Sequence, residues 1–206
     1  MSSIIRRSRA AVHPQPMFKN NSITDDIMPC TSLTVWRKSL VCCCDGFTVI
    51  GSEGELVYRV DNYRGHSGEI VLMDNYGRSI HTIRRHKKLS QFLDYWLVYD
   101  GEASDGPMFS VKKQGNILNS NSNVLAHVFL GASTDKRPTY SVEGSYSQRS
   151  CKVLDQSRNV VVEIKSKQAA NIGASFGSEV FQLVIRPGFD TGLAMTVVLL
   201  LDHMFS

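Results

Sequence analysis

The C-terminal segment is the most apolar part of the chain, and it limits the folds that can accommodate it. Between Leu193 and Leu201 only Thr196 is polar, so a helix here has no face suited to water. A helix that is apolar on every side is enclosed by a protein core or by lipid, and a membrane span needs roughly 20 apolar residues. This run is shorter. We therefore predict a helix that begins after the capping residue Asp190 and is enclosed by the rest of the protein.

Short strand-like segments separated by polar turns fill most of the chain before this helix. Paired apolar runs around a turn predict hairpins at 47–60, 69–83 and 150–164. Single strands are predicted at 33–40, 95–99, 108–112, 124–130, 139–142 and 180–185. Many short strands of this kind indicate an all-β sandwich or barrel. A closed barrel has no exposed sheet edge and could enclose the apolar helix, so the two predictions support each other.

Residues 1–28 differ in composition from the rest and predict a flexible tail, followed by one folded domain at 29–206. Up to Thr24 the tail contains no acid and four basic residues: Arg6, Arg7, Arg9 and Lys19. Without these four, the 23 basic residues of the chain fall to 19, which equals the 19 acidic residues. The net charge of +4 therefore resides in the tail. A neutral domain argues against a dedicated nucleic-acid-binding domain, which would carry its own basic field.

Targeting and redox signals are few. The N-terminus has no apolar segment typical of a secretory signal, which favours a cytoplasmic protein, although the Arg- and Ser-rich tail also fits an organelle transit peptide. No run predicts a transmembrane segment. The odd number of cysteines and the lack of a C-x-x-C pair indicate reduced thiols at Cys30, Cys42, Cys43, Cys44 and Cys151.

Three motifs suggest chemistry but lack the context that the chemistry needs. Ser175 lies in a match to G-x-S-x-G, the nucleophile elbow of serine hydrolases. In that motif a helix follows the serine, whereas here a strand is predicted after it, so a Gly-rich turn is the better interpretation. The six histidines have no metal-ligand spacing, so neither a metal nor a cofactor is expected. The run Cys42–Cys43–Cys44 could be S-palmitoylated near a membrane. A packed, reduced strand is the simpler interpretation.

The densest run of charge lies between Asp74 and Asp94, a stretch with no acid. It is predicted at the end of a hairpin strand and in the following loop. One interpretation is a solvated turn; the other is a site for phosphate or anionic headgroups, because each basic residue near an anionic membrane contributes about 1 kcal/mol. The candidate lipid- or anion-binding residues are Arg84, Arg85, Lys87 and Lys88, with lesser candidates at Lys112, Lys113, Lys136, Arg137, Lys165 and Lys167.

Several stretches, taken in their order and spacing, resemble the plant LURP-one-related proteins from about Thr31 to Phe205. They are LTVWRKSL (33–40), DGFTV (45–49), YRVDNY (58–63), EIVLMD (69–74), IRR (83–85), VEGSY (142–146) and PGFD (187–190). The resemblance implies a twelve-stranded closed barrel around a hydrophobic C-terminal helix, a fold shared with Tubby C-terminal domains and phospholipid scramblases. It also implies a plant protein.

The resemblance implies no catalytic residues and therefore a non-enzymatic protein. Some family members are linked to pathogen defence, and the superfamily includes membrane-tethered transcription factors. Tubby domains bind phosphoinositides through basic residues. We therefore hypothesise a monomeric module that binds anionic phospholipid or phosphoinositide, with a role in defence signalling, located in the cytoplasm, at the periphery of the plasma membrane or in the nucleus. The alternative is a protein-interaction or transcription-related factor that binds no lipid.

Overall fold

The computed structural model describes residues 29–41, 45–61, 68–87, 94–102, 106–114, 123–132, 137–167 and 177–206; the side chains of Lys87 and Asp94 are outside this description. These residues form β1 (Thr31–Trp36), β2 (Phe47–Ile50), β3 (Leu56–Val60), β4 (Glu69–Asp74), β5 (Ser79–Lys87), β6 (Asp94–Asp100), β7 (Phe109–Lys113), β8 (Val124–Leu130), β9 (Tyr140–Ser145), β10 (Ser150–Leu154), β11 (Val160–Ser166), β12 (Val180–Ile185) and α1 (Thr191–Phe205).

The strands form one closed barrel in which each strand pairs with its neighbours in sequence. All the pairs are antiparallel, and β12 closes the barrel against β1 in a register from Thr31–Ile185 to Trp36–Val180. Closure gives every strand two partners, so the barrel has no free edge. The predicted all-β barrel with one helix is confirmed.

The helix α1 occupies the interior of the barrel. Asp190 caps its N-terminus by accepting a hydrogen bond from the Leu193 backbone N–H at 2.6 Å, as the sequence predicted. Met195, Val198 and Leu199 are fully buried and form one core with inward-facing side chains of the strands. Among the described residues, no helix is long and apolar enough to cross a membrane.

The largest differences from the predicted strand boundaries are at the ends of β1 and β5. β1 ends at Trp36 instead of continuing to residue 40, because Ser39 turns inward and donates a hydrogen bond to Asp61. β5 continues to Lys87 instead of ending at residue 83, because it pairs with β6 along this whole stretch. Tertiary contacts set both boundaries, and the local residue pattern contains no sign of them.

The direction of α1 distinguishes the two ends of the barrel. Odd-numbered strands end, and even-numbered strands begin, at the same end, because neighbouring strands are antiparallel. Contacts from Arg37 to Asp202 and from Lys113 to Met204 place the C-terminus of α1 there. We call this end the C-terminal mouth and the opposite end, which holds Asp190, the N-terminal mouth.

Candidate functional site

The predicted basic run reaches the C-terminal mouth along β5. Consecutive residues of a strand point to opposite faces, so Arg84 and Arg85 lie on opposite faces of the barrel wall. Arg84 pairs with Glu69 and Leu97 across the sheet, while Arg85 pairs with the buried Trp96. The sequence had predicted a loop within this run, and the structure instead continues the strand through Lys87. Lys88 lies outside the described residues.

Arg84 lies on the outer wall of the barrel. Its Nε donates to Oε1 of Glu69 at 2.7 Å, and its guanidinium carbon lies 4.7 Å from the centre of the Tyr99 ring. The hydrogen bond to Glu69 is the main reason that the pKa of Arg84 is raised. Arg84 therefore has a carboxylate partner in the structure, which reduces what it can offer to an external anion.

Arg85 lies on the inner face at the rim of the C-terminal mouth, where its side chain is exposed. Its guanidinium carbon lies 5.9 Å from the Trp96 ring centre, at cation–π distance. Trp96 is buried and packs edge-on against His203 of the last turn of α1, with ring centres 6.1 Å apart. The indole Nε1 of Trp96 has no hydrogen-bond acceptor among the described residues. Arg85 therefore lies beside a buried N–H donor and the helix end.

The lesser candidates at Lys112 and Lys113 are also divided between the two faces of their strand. Lys113 donates from Nζ to the backbone carbonyl of Met204 at 2.7 Å and lies 4.4 Å from the Phe205 ring centre. It therefore satisfies one of the carbonyls that a helix end leaves unpaired. Lys112 faces outward beside His127; burial, and then the charge of Lys112, lower the pKa of His127.

A buried carboxylate anchors the helix at the same mouth. Asp202 is fully buried and accepts hydrogen bonds from the Tyr146 hydroxyl at 3.1 Å and the Ser206 hydroxyl at 2.9 Å. Arg37 supplies the counter-charge, with Nε 3.1 Å from Oδ1 of Asp202. Partial burial lowers the pKa of Arg37, but the charges of Asp202 and Glu179 outweigh this effect and the net shift is upward. Burial, followed by the charge of Asp202, raises the pKa of Tyr146.

The remaining lesser candidates divide between the two ends of the barrel. Lys165 pairs with Glu163, and Lys167 donates from Nζ to the Thr34 hydroxyl at 2.8 Å; both lie toward the C-terminal mouth. Arg137 is exposed just before β9 at the N-terminal mouth, and Lys136 lies outside the described residues. Three of the predicted basic clusters therefore reach one mouth, although they lie on different faces of their strands.

The opposite mouth is richer in acid. Its described turns and adjoining strand ends carry Glu53, Glu55, Asp74, Asp100, Glu102, Asp155 and Asp190, against the basic residues Arg78, Arg137, Arg158 and Arg186. At the C-terminal mouth the two signs are nearly balanced: Arg37, Lys38, Arg85, Lys113, Arg149 and Lys167 face Asp45, Asp61, Glu69, Glu179 and Asp202. The N-terminal mouth therefore carries a net negative charge, and of the two ends the C-terminal mouth suits an anionic partner better.

Sequence reasoning missed the roles of Arg37 and Trp96. The available signal was Asp202, an acid that directly follows the apolar run of the helix, because a buried charge requires a partner. Which partner it finds depends on the closure of the barrel, which brings Arg37 and Tyr146 to the same side chain.

The other sequence motifs show no assembled chemistry among the described residues. Ser175 and Cys42–Cys43–Cys44 lie outside those residues, while Gly177, the last residue of the G-x-S-x-G match, has a φ of +71° three residues before β12. Cys151 is buried, which raises the pKa of its thiol to about 11 and makes it unreactive. Within the described ranges, His, Cys, Asp and Glu form no group of three or more that could hold a metal ion.

Comparison with known proteins gives matches that cover most of the chain. A family model described as LURP-one-related matches residues 31–202. The chain is 48% identical to protein LURP-one-related 17 of Arabidopsis thaliana over 188 residues, which cover 86% of this chain and 84% of that protein. It is 44% identical to protein LURP-one-related 8 of the same plant over 198 residues, which cover 94% and 97%.

Among solved structures, an X-ray structure of an Arabidopsis thaliana protein matches with a TM-score of 0.61 and 23% sequence identity. The match covers 85% of this chain and 91% of that chain. At this identity the match concerns the fold.

Proposed function

The chain belongs to the LURP-one-related family, and from this premise we propose that it is a non-enzymatic module that attaches reversibly to anionic membrane lipid. Phospholipid or phosphoinositide headgroups would bind at the C-terminal mouth through Arg84, Arg85, Lys87 and Lys88. Through this attachment the protein would act in signalling, with plant defence as the first process to test. The attachment would be peripheral, on the membrane surface.

The observation that carries this proposal is the gathering of basic clusters at one end of the barrel. Arg85 is exposed at the C-terminal mouth, Lys113 ends β7 two strands away on the same rim, and Lys167 follows β11 on the far side of that rim. The N-terminal mouth, richer in acid, would be repelled by the same surface. A planar anionic surface attracts a molecule that presents one basic end, and the attraction extends over roughly a Debye length of about 8–10 Å.

The expected affinity is modest and depends on salt. Each basic residue near an anionic bilayer contributes about 1 kcal/mol, so the four candidates could contribute about 4 kcal/mol at low ionic strength. Arg84 will contribute less than this, because an approaching headgroup must compete with Glu69 at 2.7 Å. We therefore expect weak, reversible attachment.

Vesicle sedimentation tests this proposal. The full chain is mixed with vesicles of phosphatidylcholine alone, with added phosphatidylserine, or with added phosphatidylinositol bisphosphate, at about 50 and 300 mM salt. We expect co-sedimentation with the two anionic compositions at low salt, and loss of most of it at high salt. Absence of lipid-dependent sedimentation at low salt would overturn the proposal and favour the alternative, a protein-interaction or transcription-related factor that binds no lipid.

A further inference from the structure

The turn after β1 exposes a concentration of apolar side chains. Among the described residues, the large apolar side chains that are exposed are Trp36, Leu40, Val41, Tyr76 and Leu130. Three of these lie between residues 36 and 41, with exposed fractions of 38% for Trp36, 52% for Leu40 and 46% for Val41. Single exposed apolar residues are normal on a protein surface, whereas a cluster at one place indicates a surface that is covered in use.

Hydrogen bonds hold this turn in place. Ser39 is buried, donates to Oδ1 of Asp61 at 3.0 Å and accepts from the backbone N–H of Val41 at 3.0 Å. The Thr48 hydroxyl donates to the carbonyl of Lys38 at 2.7 Å. The inward anchor at Ser39 leaves Leu40 and Val41 pointing away from the barrel. Their display is therefore built into the fold, and little further ordering is needed when the surface is covered.

Two lysines lie on the Trp36 side of this group of apolar residues. Nζ of Lys38 lies 5.4 Å from the centre of the Trp36 ring. Lys167 donates to Thr34, which lies two residues before Trp36 on the same outer face of β1. The nearby acids have partners: Glu179 lies 3.6 Å from Arg37, and Asp61 accepts from Ser39.

This combination matches the boundary layer of a bilayer. Tryptophan favours the level of the headgroups, aliphatic side chains favour the acyl chains below, and long basic side chains extend to the phosphates. A protein partner could also cover these apolar residues, but Lys38 and Lys167 beside them and the basic clusters that reach the C-terminal mouth favour an anionic surface.

We propose that the turn at residues 36–41 is a membrane-inserting element, which places Leu40 and Val41 among the acyl chains of an anionic phospholipid bilayer and Lys38 and Lys167 at its phosphates. This inference rests on the proposed function and adds an insertion step to it. It also gives the bound protein an orientation, in which the C-terminal mouth faces the membrane and the N-terminal mouth faces away.

Paired substitutions test the insertion. Leu40→Ser with Val41→Ser removes the apolar cluster without removing charge, and both side chains are exposed, so the melting temperature should be unchanged. We expect binding to phosphatidylserine vesicles to weaken about tenfold or more, including at moderate salt where electrostatic attraction is screened. The matched control is Tyr76→Ser with Leu130→Ser, which removes two exposed apolar side chains at the N-terminal mouth and should leave vesicle binding unchanged.

Trp36 provides a direct depth measurement. The chain has two tryptophans, Trp36 and Trp96, and Trp96 is buried in the barrel. On binding vesicles that contain brominated acyl chains, the fluorescence of the natural protein should be quenched. A Trp36→Phe variant, which keeps an aromatic ring at this position, should bind the same vesicles with little quenching.

The outcomes separate this inference from the proposed function. Salt-sensitive binding without Trp36 quenching, and with no loss in the Leu40→Ser/Val41→Ser variant, would overturn insertion while attachment by charge stands. No binding to any vesicle would overturn both proposals. Three results together would support insertion. Quenching should require Trp36, the Leu40→Ser/Val41→Ser variant should bind vesicles more weakly, and the Tyr76→Ser/Leu130→Ser control should bind like the natural protein.

Discussion

Arg37 and Asp202 join the first strand to the last turn of the helix, with Nε of Arg37 3.1 Å from one carboxylate oxygen and 3.3 Å from the other. The carboxylate is almost completely buried, whereas about a quarter of the Arg37 side chain is exposed. The pair therefore forms the boundary between the core and the C-terminal mouth. It fixes the end of α1 against the same rim that presents the basic side chains.

Loss of Arg37 should be costly, because among the described residues it leaves the buried Asp202 with two neutral side-chain donors, the hydroxyls of Tyr146 and Ser206. For Arg37→Met we expect the free energy of unfolding to fall by about 3 kcal/mol in urea denaturation. The control is Arg158→Met, which breaks the pair of Arg158 with Glu143 on the surface. Because solvent screens this exposed pair, its loss should leave the free energy of unfolding close to that of the natural protein. Equal losses in the two variants would contradict the buried anchor.

The apolar helix should contribute to stability through packing inside the barrel. Leu199 is fully buried, so Leu199→Ala leaves a cavity and should lower the free energy of unfolding by about 3–5 kcal/mol. The control is Leu130→Ala, the same substitution at an exposed site. It should change the free energy of unfolding by less than about 0.5 kcal/mol. A small effect at Leu199 would show that α1 is not enclosed as described.

The cap of α1 should depend on an oxygen acceptor at residue 190. Asp190→Ala removes the acceptor for the Leu193 N–H and should lower the free energy of unfolding by about 1 kcal/mol. Asp190→Asn keeps an oxygen at the same place and should recover most of this loss. If Asn behaved like Ala, the effect would come from the negative charge at the helix N-terminus and not from the hydrogen bond.

Buried His81 should make stability depend on pH. Its Nδ1 lies 2.9 Å from the Thr196 hydroxyl, and burial lowers its pKa, an effect that Asp190 and Asp100 offset only in part. The unfolded chain, with a histidine pKa of about 6.5, binds a proton that the folded state does not. Stability is therefore expected to be fully present above this pKa and to fall as the pH decreases toward the folded pKa, with a slope of at most about 1.4 kcal/mol per pH unit from this residue.

The His81→Gln variant isolates this contribution. Urea denaturation between about pH 7 and 5.5 should show a shallower decline in stability than in the natural protein. His127 acts in the same direction, because its pKa is also lowered, so His127→Gln serves as the comparison. An unchanged slope in His81→Gln would contradict the assignment of His81 as a buried neutral group.

Local sequence patterns predict much of the fold, but they do not predict where β1 and β5 end. The apolar run of α1, its cap at Asp190 and the turn-separated strands were all readable, because each depends on neighbouring residues. The ends of β1 and β5 were not, since they depend on Ser39 meeting Asp61 and on the pairing of β5 with β6.

The candidate site shows the same division. The sequence shows the run of basic residues directly. Because β5 continues through Lys87 and side chains alternate along a strand, Arg84 and Arg85 face opposite sides of the sheet. The partners that decide their availability, Glu69 for Arg84 and Trp96 for Arg85, come from the neighbouring strands β4 and β6. Their register follows from the assembled barrel.

The central claim is that the C-terminal mouth, and not positive charge in general, attaches the protein to anionic membranes. The most direct test compares the binding of two variants to phosphatidylserine vesicles at low salt, each lacking four basic residues. The first variant replaces the basic run that reaches the C-terminal mouth, Arg84, Arg85, Lys87 and Lys88, with Ala. The second replaces four arginines at the N-terminal mouth, Arg78, Arg137, Arg158 and Arg186, with Ala.

Both variants lose the same formal charge, and each loses at least one ion pair with an acid, so a difference in binding reports which end of the barrel is changed. We predict that the first variant binds at least about tenfold more weakly than the natural protein and that the second stays within about threefold of it. Equal weakening of the two variants, or unchanged binding of the first, would contradict the claim.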